Sequence, residues 1–178
     1  MKKTFLFTAF LLCISLLTSA QAKTYQTKNA IVHFIAEDDN DIDAVNKNVV
    51  SRIEPGGKLS FILLIKDFHF EMDKMQDHFN TEYMESDKFP RAFFNGQIAN
   101  FDKIDFKKDG KYPIIATGNM QVHGVNKQVN ANGFLEIKNG IPTASAKITV
   151  TLKDFGIGGI LIKMVADKIN VDITATYP

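Results

Sequence analysis

The chain predicts a mainly β fold, a single antiparallel β-barrel of about eight strands with one short helix around residues 72–84. Three observations lead there. Turn signals recur at Pro55-Gly56-Gly57, Lys108-Asp109-Gly110, His123-Gly124 and Asn139-Gly140, where residues that tolerate positive φ permit tight reversals. Strand-length apolar or alternating segments lie between those turns. Only residues 71–96 carry a sustained helical period.

The first 22 residues read as a segment apart from the fold. Lys2 and Lys3 precede an apolar run from Phe5 to Leu17, and Thr18-Ser19-Ala20-Gln21-Ala22 follows. This is the pattern of a secretory signal with an A-x-A cleavage site, cut after Ala22. Cys13 follows Leu12, where a lipid-anchor signal needs a small residue, so no covalent lipid is expected. A periplasmic or secreted location follows. Residues 23–178 then form one domain, long enough to bury roughly 68–70% of the unfolded chain's surface. Cys13 is the only cysteine, so the domain has no thiolate catalysis, Cys-ligated zinc or disulfide. Of 21 basic residues, removal of Lys2 and Lys3 leaves 19 against 20 acidic ones. That near-neutral balance points away from nucleic acid as a partner. No later apolar stretch approaches the roughly 20 residues that span a bilayer; the longest, Phe155 to Ala166, contains Lys163.

Strands are expected near 28–36 and 45–53. From Lys58 to Lys66, Leu59, Phe61, Leu63 and Ile65 share one face while Ile62 and Leu64 add apolar surface to the other, which predicts a strand covered on both faces. Next, Met72, Met75, Phe79 and Tyr83 recur at spacings of three, four and four. They form one apolar helical face, with Asp73, Lys74, Asp77, Asn80 and Glu82 in water. Pro90 stops the helix and makes Phe89 extended. Further strands are expected near 92–104, 112–123 and 126–138. Ala146, Ile148, Val150 and Leu152 alternate with polar residues, as do Ile169, Val171, Ile173 and Ala175, so both segments read as half-buried strands. Gly156-Ile157-Gly158-Gly159 lacks the Lys-Ser/Thr of a phosphate loop and opens no βαβ unit, so it reads as a bend or bulge.

Candidate chemistry falls away motif by motif. Asp39, Asp41 and Asp43 have the spacing of a calcium loop, but Ala44 stands where the sharp turn needs Gly and Val50 where a bidentate Glu belongs. A solvated connection fits that run better. His33, His69, His78 and His123 lack metal-ligand spacing. His78, beside the apolar helical stripe, can orient the helix or touch a ligand head group. Ser51, Ser60, Ser86 and Ser145 occur in no nucleophile-elbow context. The residues give no positive sign of an enzyme.

The apolar load is lopsided. Nine of the twelve phenylalanines after residue 22 lie between Phe61 and Phe106, with Met72, Met75 and Met84 among them. About eight strands enclose a space that side chains fill or that holds one small ligand. Soft Met and flat Phe suit a pocket for an apolar chain, and equally a helix packed onto a filled barrel.

The stretch from Met75 to Pro90, M-Q-D-H-F-N-T-E-Y-M-E-S-D-K-F-P, resembles the YceI-like family of secreted bacterial β-barrels associated with lipid or isoprenoid binding, in the subtype reading M-x-x-H-F-N-x-x-Y-M-E-S-x-x-[FY]-P. Asp41-Ile42-Asp43-Ala44-Val45-Asn46 is similar to that subtype's E-D-I-E-A-x-N, and Gly118 to Val129 to its G-x-L-x-[IV]-x-G-V-x-[KR]-x-[VI] hairpin. Lys153-Asp154-Phe155-Gly156-Ile157 resembles its late D-[FY]-x-I. The resemblance implies a lipocalin-like barrel with no catalytic residues. Its only bound group would be a polyisoprenoid, quinone or fatty-acid-like lipid.

Phe61, Leu63, Phe68, Phe70, Met72, Met75 and Phe79, with Phe93 of the next strand, are the expected ligand contacts. Other members carry His-Leu and then Phe-Phe near the helix, where this chain has His78-Phe79 and Tyr83-Met84, so Phe79 could fill space that a ligand takes in relatives. Two readings stand: a carrier of an apolar small molecule or lipid, or a filled barrel acting through its surface as an accessory module. A homodimer is open to either.

Overall fold

The computed structural model describes residues 23–37, 42–158 and 167–178. The signal segment and the acidic residues Asp38, Asp39 and Asp41 lie outside them. Nine strands are seen among the described residues: β1 Tyr25–Ala36, β2 Asp43–Ile53, β3 Lys58–Leu64, β4 His69–Phe70, β5 Arg91–Ile98, β6 Gly110–Val122, β7 Val125–Lys138, β8 Ile141–Thr151 and β9 Lys168–Thr176. Eight of them close in the ring order β1-β9-β8-β7-β6-β5-β3-β2, sealed by antiparallel pairing of β1 with β2. The two-residue β4 extends the wall by pairing Phe70 with Ala44 and His69 with Val45 of β2. Closure removes the free edges of an open sheet.

The turn chemistry read from the sequence sets the hairpins. His123 and Gly124 join β6 to β7 with φ of 50° and 75°, and Asn139 and Gly140 join β7 to β8 with φ of 52° and 76°. Two consecutive positive φ values match the strand twist of a two-residue hairpin. The register of β6 on β7 then runs unbroken from Gly110↔Ile137 to Val122↔Val125.

Side-chain alternation puts one face of each strand inside. Val171 and Ala175 of β9 and Ala144 and Val150 of β8 are buried, while Lys147 and Thr149 between them are exposed. β3 departs from expectation. Leu59 is buried and Phe61 and Leu63 partly so, but Ile62 and Leu64 remain 42% and 43% exposed. A closed single sheet encloses only its inner face, so nothing among the described residues covers the other. The strands near 92–104 and 146–153 also end sooner than expected. After Ile98 the chain curls into a 3-10 turn at Phe101–Lys103, held by Asn100 Nδ2 donating to the Pro113 carbonyl at 2.7 Å. Leu152–Phe155 forms a similar turn, closed by Gly156 at φ 70°.

Antiparallel order assigns each connection to one end of the barrel. The links β2–β3, β5–β6 and β7–β8, the start of β1 and the end of β9 gather at one end, the floor. There Tyr25 stacks on Phe106 with ring centroids 4.7 Å apart, Phe101 lies against Phe106 at 5.4 Å, and Ile104 is buried. Tyr177 is buried too, its hydroxyl 2.7 Å from Ser51 Oγ. Burial pushes the Tyr177 phenol up to about 12, against the opposing effect of the Ser51 hydrogen bond. The opposite end receives β4, the helical segment and residues 152–158.

Candidate ligand cavity

The helical segment is the cap of the upper end. Helix α1, Asp73–His78, starts after Met72 in an extended conformation and runs into a π-helical turn, Phe79–Tyr83. The turn ends with Met84 N–H donating to the Phe79 carbonyl at 2.9 Å. Such a turn adds one residue to the helical repeat, so that Tyr83 and Met84 both reach the interior beneath Met75 and Phe79.

Phe79 is the centre of an aromatic cluster. Its ring centroid lies 5.0 Å from Phe70, 5.7 Å from Phe68 and 5.8 Å from Phe34, in tilted or edge-on arrangements favoured by the ring quadrupoles. β1, β4 and the β3–β4 connection supply those three partners. The cap is tied down at its far end by His123 Nε2, 3.1 Å from Glu85 Oε2, with Phe89 edge-on to the imidazole at 4.4 Å. Glu85 itself has a positive φ of 42°, a conformation that a non-glycine residue keeps only when its contacts hold it. Gln76 Oε1 accepts from the Phe70 N–H at 3.3 Å, while Gln76 Nε2 and Asn80 Oδ1 are buried with no partner among the described residues.

Beneath the cap lies an apolar cavity of about 240 Å³. Its two sides differ in residue size. Phe61 and Leu63 of β3, Phe94 of β5 and the cap residues make a bulky side, while Ala116, Ala131, Ala144 and Ala146 of β6, β7 and β8 stand in a small-residue tract around the ring. Ala116 faces Ala131, and Ala146 faces Gly133, in direct register. On β5, Phe94 lies flat along the wall over Gly96, where a Cβ would sit 2.6 Å from the ring and 2.5 Å from the Thr117 carbonyl. The four alanines thus leave space that larger side chains at the same positions would occupy.

Among the described residues the lining carries no charge. Of those around the cavity only Tyr83 and Ser145 have polar side chains, and alternation with Ala144 and Ala146 turns Ser145 outward. His33, His78 and His123 each pair with one carboxylate, Asp43, Glu82 and Glu85 respectively, and none borders the cavity. Among the described residues no group of three His, Cys, Asp or Glu is arranged to hold a metal ion.

The structure places Phe61, Leu63, Phe68, Phe70, Met75 and Phe79 on the cavity wall. Met72 is not there. It precedes the first helical residue and is 52% exposed, so the helical spacing that grouped it with Met75 does not apply. Phe93 borders the space, but its register with Ile62, between inward Ala92 and Phe94, directs its side chain to the outer face. The small-residue side of β6 to β8 was missed. Its signal was the run of Ala and Gly at alternate positions, Ala116, Gly118, Ala131, Gly133, Ala144 and Ala146, which conventional core reading passes over in favour of large residues.

An antiparallel eight-strand barrel, closed on one floor and capped over an apolar cavity, encloses a space of the size that can hold one small ligand. The sequence matches the YceI-like domain over residues 24–177, and the chain belongs to that family. No curated protein matches it. Among solved structures, it is similar to a polyisoprenoid binding domain from Saccharophagus degradans implicated in plant cell wall breakdown, at 9% identity and a TM-score of 0.74, covering 88% of this chain and 98% of that one. It is similar to BcnA of Burkholderia cenocepacia at 14% identity and a TM-score of 0.70, covering 84% and 96%. The YCEI protein of Campylobacter jejuni aligns over 99% and 97% at 17% identity and a TM-score of 0.55. At these identities the likeness is one of fold.

Proposed function

We propose that the protein binds an amphiphilic apolar chain, a polyisoprenoid, quinone or other lipid, inside the barrel and carries it in the periplasm or outside the cell. The uncharged cavity beneath the cap carries this reading. Family membership supports it, as does the polyisoprenoid binding named for the Saccharophagus degradans relative. With Tyr83 as the one polar side chain turned toward it among the described residues, the lining selects for apolar bulk and leaves a polar head at the cap. The work is binding rather than catalysis, and the secretory-type first 22 residues support the location.

Size refines the proposal. An apolar cavity of about 150 Å³ takes one benzene, so 240 Å³ holds a short length of chain. A long polyisoprenoid needs the Phe79 side chain and the cap to yield. Each methylene then buried favours binding by about 0.8 kcal/mol. Native mass spectrometry with organic extraction of protein from its own cells tests this. A co-purifying lipid, or uptake from a quinone and isoprenoid panel, is expected; neither appearing would refute it.

The aromatic cluster around Phe79 favours a second reading, a barrel filled by its own residues that acts through its surface as an accessory module. Thermal shift separates the two. A ligand that binds the native state raises its apparent stability by mass action, whereas a filled barrel answers to no member of the panel.

A further inference from the structure

The outer face of five of the eight barrel strands has an unusual charge pattern. Between Ala44 and Leu135, the residues of β2, β3, β5, β6 and β7 include no Asp or Glu at all. The same outer face carries the exposed cations Lys47, Arg52, Arg91 and Lys111. Asp43 and Glu136, at the ends of β2 and β7, are the exceptions on these strands, Glu136 standing opposite Lys111; the other carboxylates of this part of the chain lie in the connections, so the sheet surface around Arg52 and Arg91 is positive.

Cross-strand register places apolar residues in the middle of that surface. One row runs Val50, Ile62, Phe93, Gln121 across β2, β3, β5 and β6. The row on one side runs Arg52, Ser60, Asn95, Asn119, and on the other Leu64 pairs with Arg91. Val50, Ile62 and Leu64 are 39%, 42% and 43% exposed. An apolar band flanked above and below by arginines, without a carboxylate, is the chemistry of a surface that meets anionic headgroups and dips shallowly among acyl chains.

We infer that this face docks on an anionic lipid surface. Charge argues against a second copy, because a self-complementary contact would bring Arg52 and Arg91 against their own kind. A polyanion without an apolar phase would leave Ile62 and Leu64 in water. The position also suits transfer, since Phe61, Leu63 and Phe94 alternate with Ile62 and Phe93 on the same two strands and line the cavity on the inner side. The inference does not depend on what the cavity holds.

Flotation with vesicles tests it. The protein should bind vesicles of phosphatidylcholine with about a third phosphatidylglycerol, bind phosphatidylcholine alone far less, and be released by high salt. Replacing both cations, Arg52→Gln with Arg91→Gln, should lower partitioning about five-fold for each residue. The pair Ile62→Ser with Leu64→Ser should lower it while leaving the circular dichroism unchanged. Lys147→Gln with Lys168→Gln, on β8 and β9, should have no effect. The inference is overturned if the wild type ignores anionic vesicles, or if the Lys147 and Lys168 pair loses binding as much as the arginine pair. It is also overturned if light scattering shows a dimer that Ile62→Ser with Leu64→Ser dissolves, or if heparin is bound as well as vesicles and the serine pair changes neither. Ligand uptake from detergent solution is measured alongside, so that a barrel without cargo and a face without membrane affinity give different results.

Discussion

Replacing Phe79 by Ala separates stability from binding. Phe79 is 9% exposed and touches Phe34, Phe68 and Phe70. A buried Phe→Ala change costs about 3–5 kcal/mol. The lower end applies here, because one side of the ring already borders a void and lacks partner atoms there. About 3 kcal/mol in a domain of this length lowers the melting temperature by roughly 6–12 °C. The cavity grows at the same time. Space for roughly three more chain carbons would add about 2.4 kcal/mol of burial, near 60-fold in affinity. Thermal melts of the free protein and displacement of a fluorescent polyene fatty acid measure the two effects. A less stable free protein that binds its lipid more tightly is expected. A variant that loses stability and lipid affinity together would refute the assignment of Phe79 as a residue occupying ligand space.

The floor offers two further tests. Ser51→Ala strands the buried Tyr177 hydroxyl and should cost about 1–3 kcal/mol in urea unfolding; an unchanged midpoint would show that the 2.7 Å contact contributes nothing. Tyr177 also sets an alkaline limit. Its folded value of about 12 exceeds the ordinary 10.0, so the native state holds its proton more tightly. That contribution is complete below pH 10 and is lost as pH rises toward 12, a decline on the order of 3 kcal/mol. Tyr177→Phe should flatten it in alkaline melts, and an unchanged slope would contradict the assignment. At the cap, His123→Ala removes the contacts to Glu85 and Phe89 and should speed amide exchange in residues 79–89 by about five-fold, for about 1 kcal/mol lost. Equal exchange in both proteins would show that the hairpin tip does not restrain the cap.

Much of the barrel was legible because its signals are local. The pairs His123-Gly124 and Asn139-Gly140 dictate hairpins through φ alone, and the alternation from Ala146 to Val150 marks a half-buried strand without knowledge of its neighbours. Helix existence was legible too, although its π-helical turn was not, since the same residues satisfy either repeat. What escaped depends on relations across the ring. Ile62 and Leu64 look like a second buried face until closure leaves the outside bare. Phe93 joins the interior by composition and leaves it by register, one residue from Phe94. Met72 fits the helical period but precedes the helix.

The tract formed by Ala116, Ala131, Ala144 and Ala146 separates the needs of folding from those of cargo. Larger side chains there would fill the void and strengthen packing, so selection for robustness alone would erase the binding space while the barrel persisted. Retained smallness at these four positions would therefore distinguish descendants that still carry a lipid from those that kept only the shell.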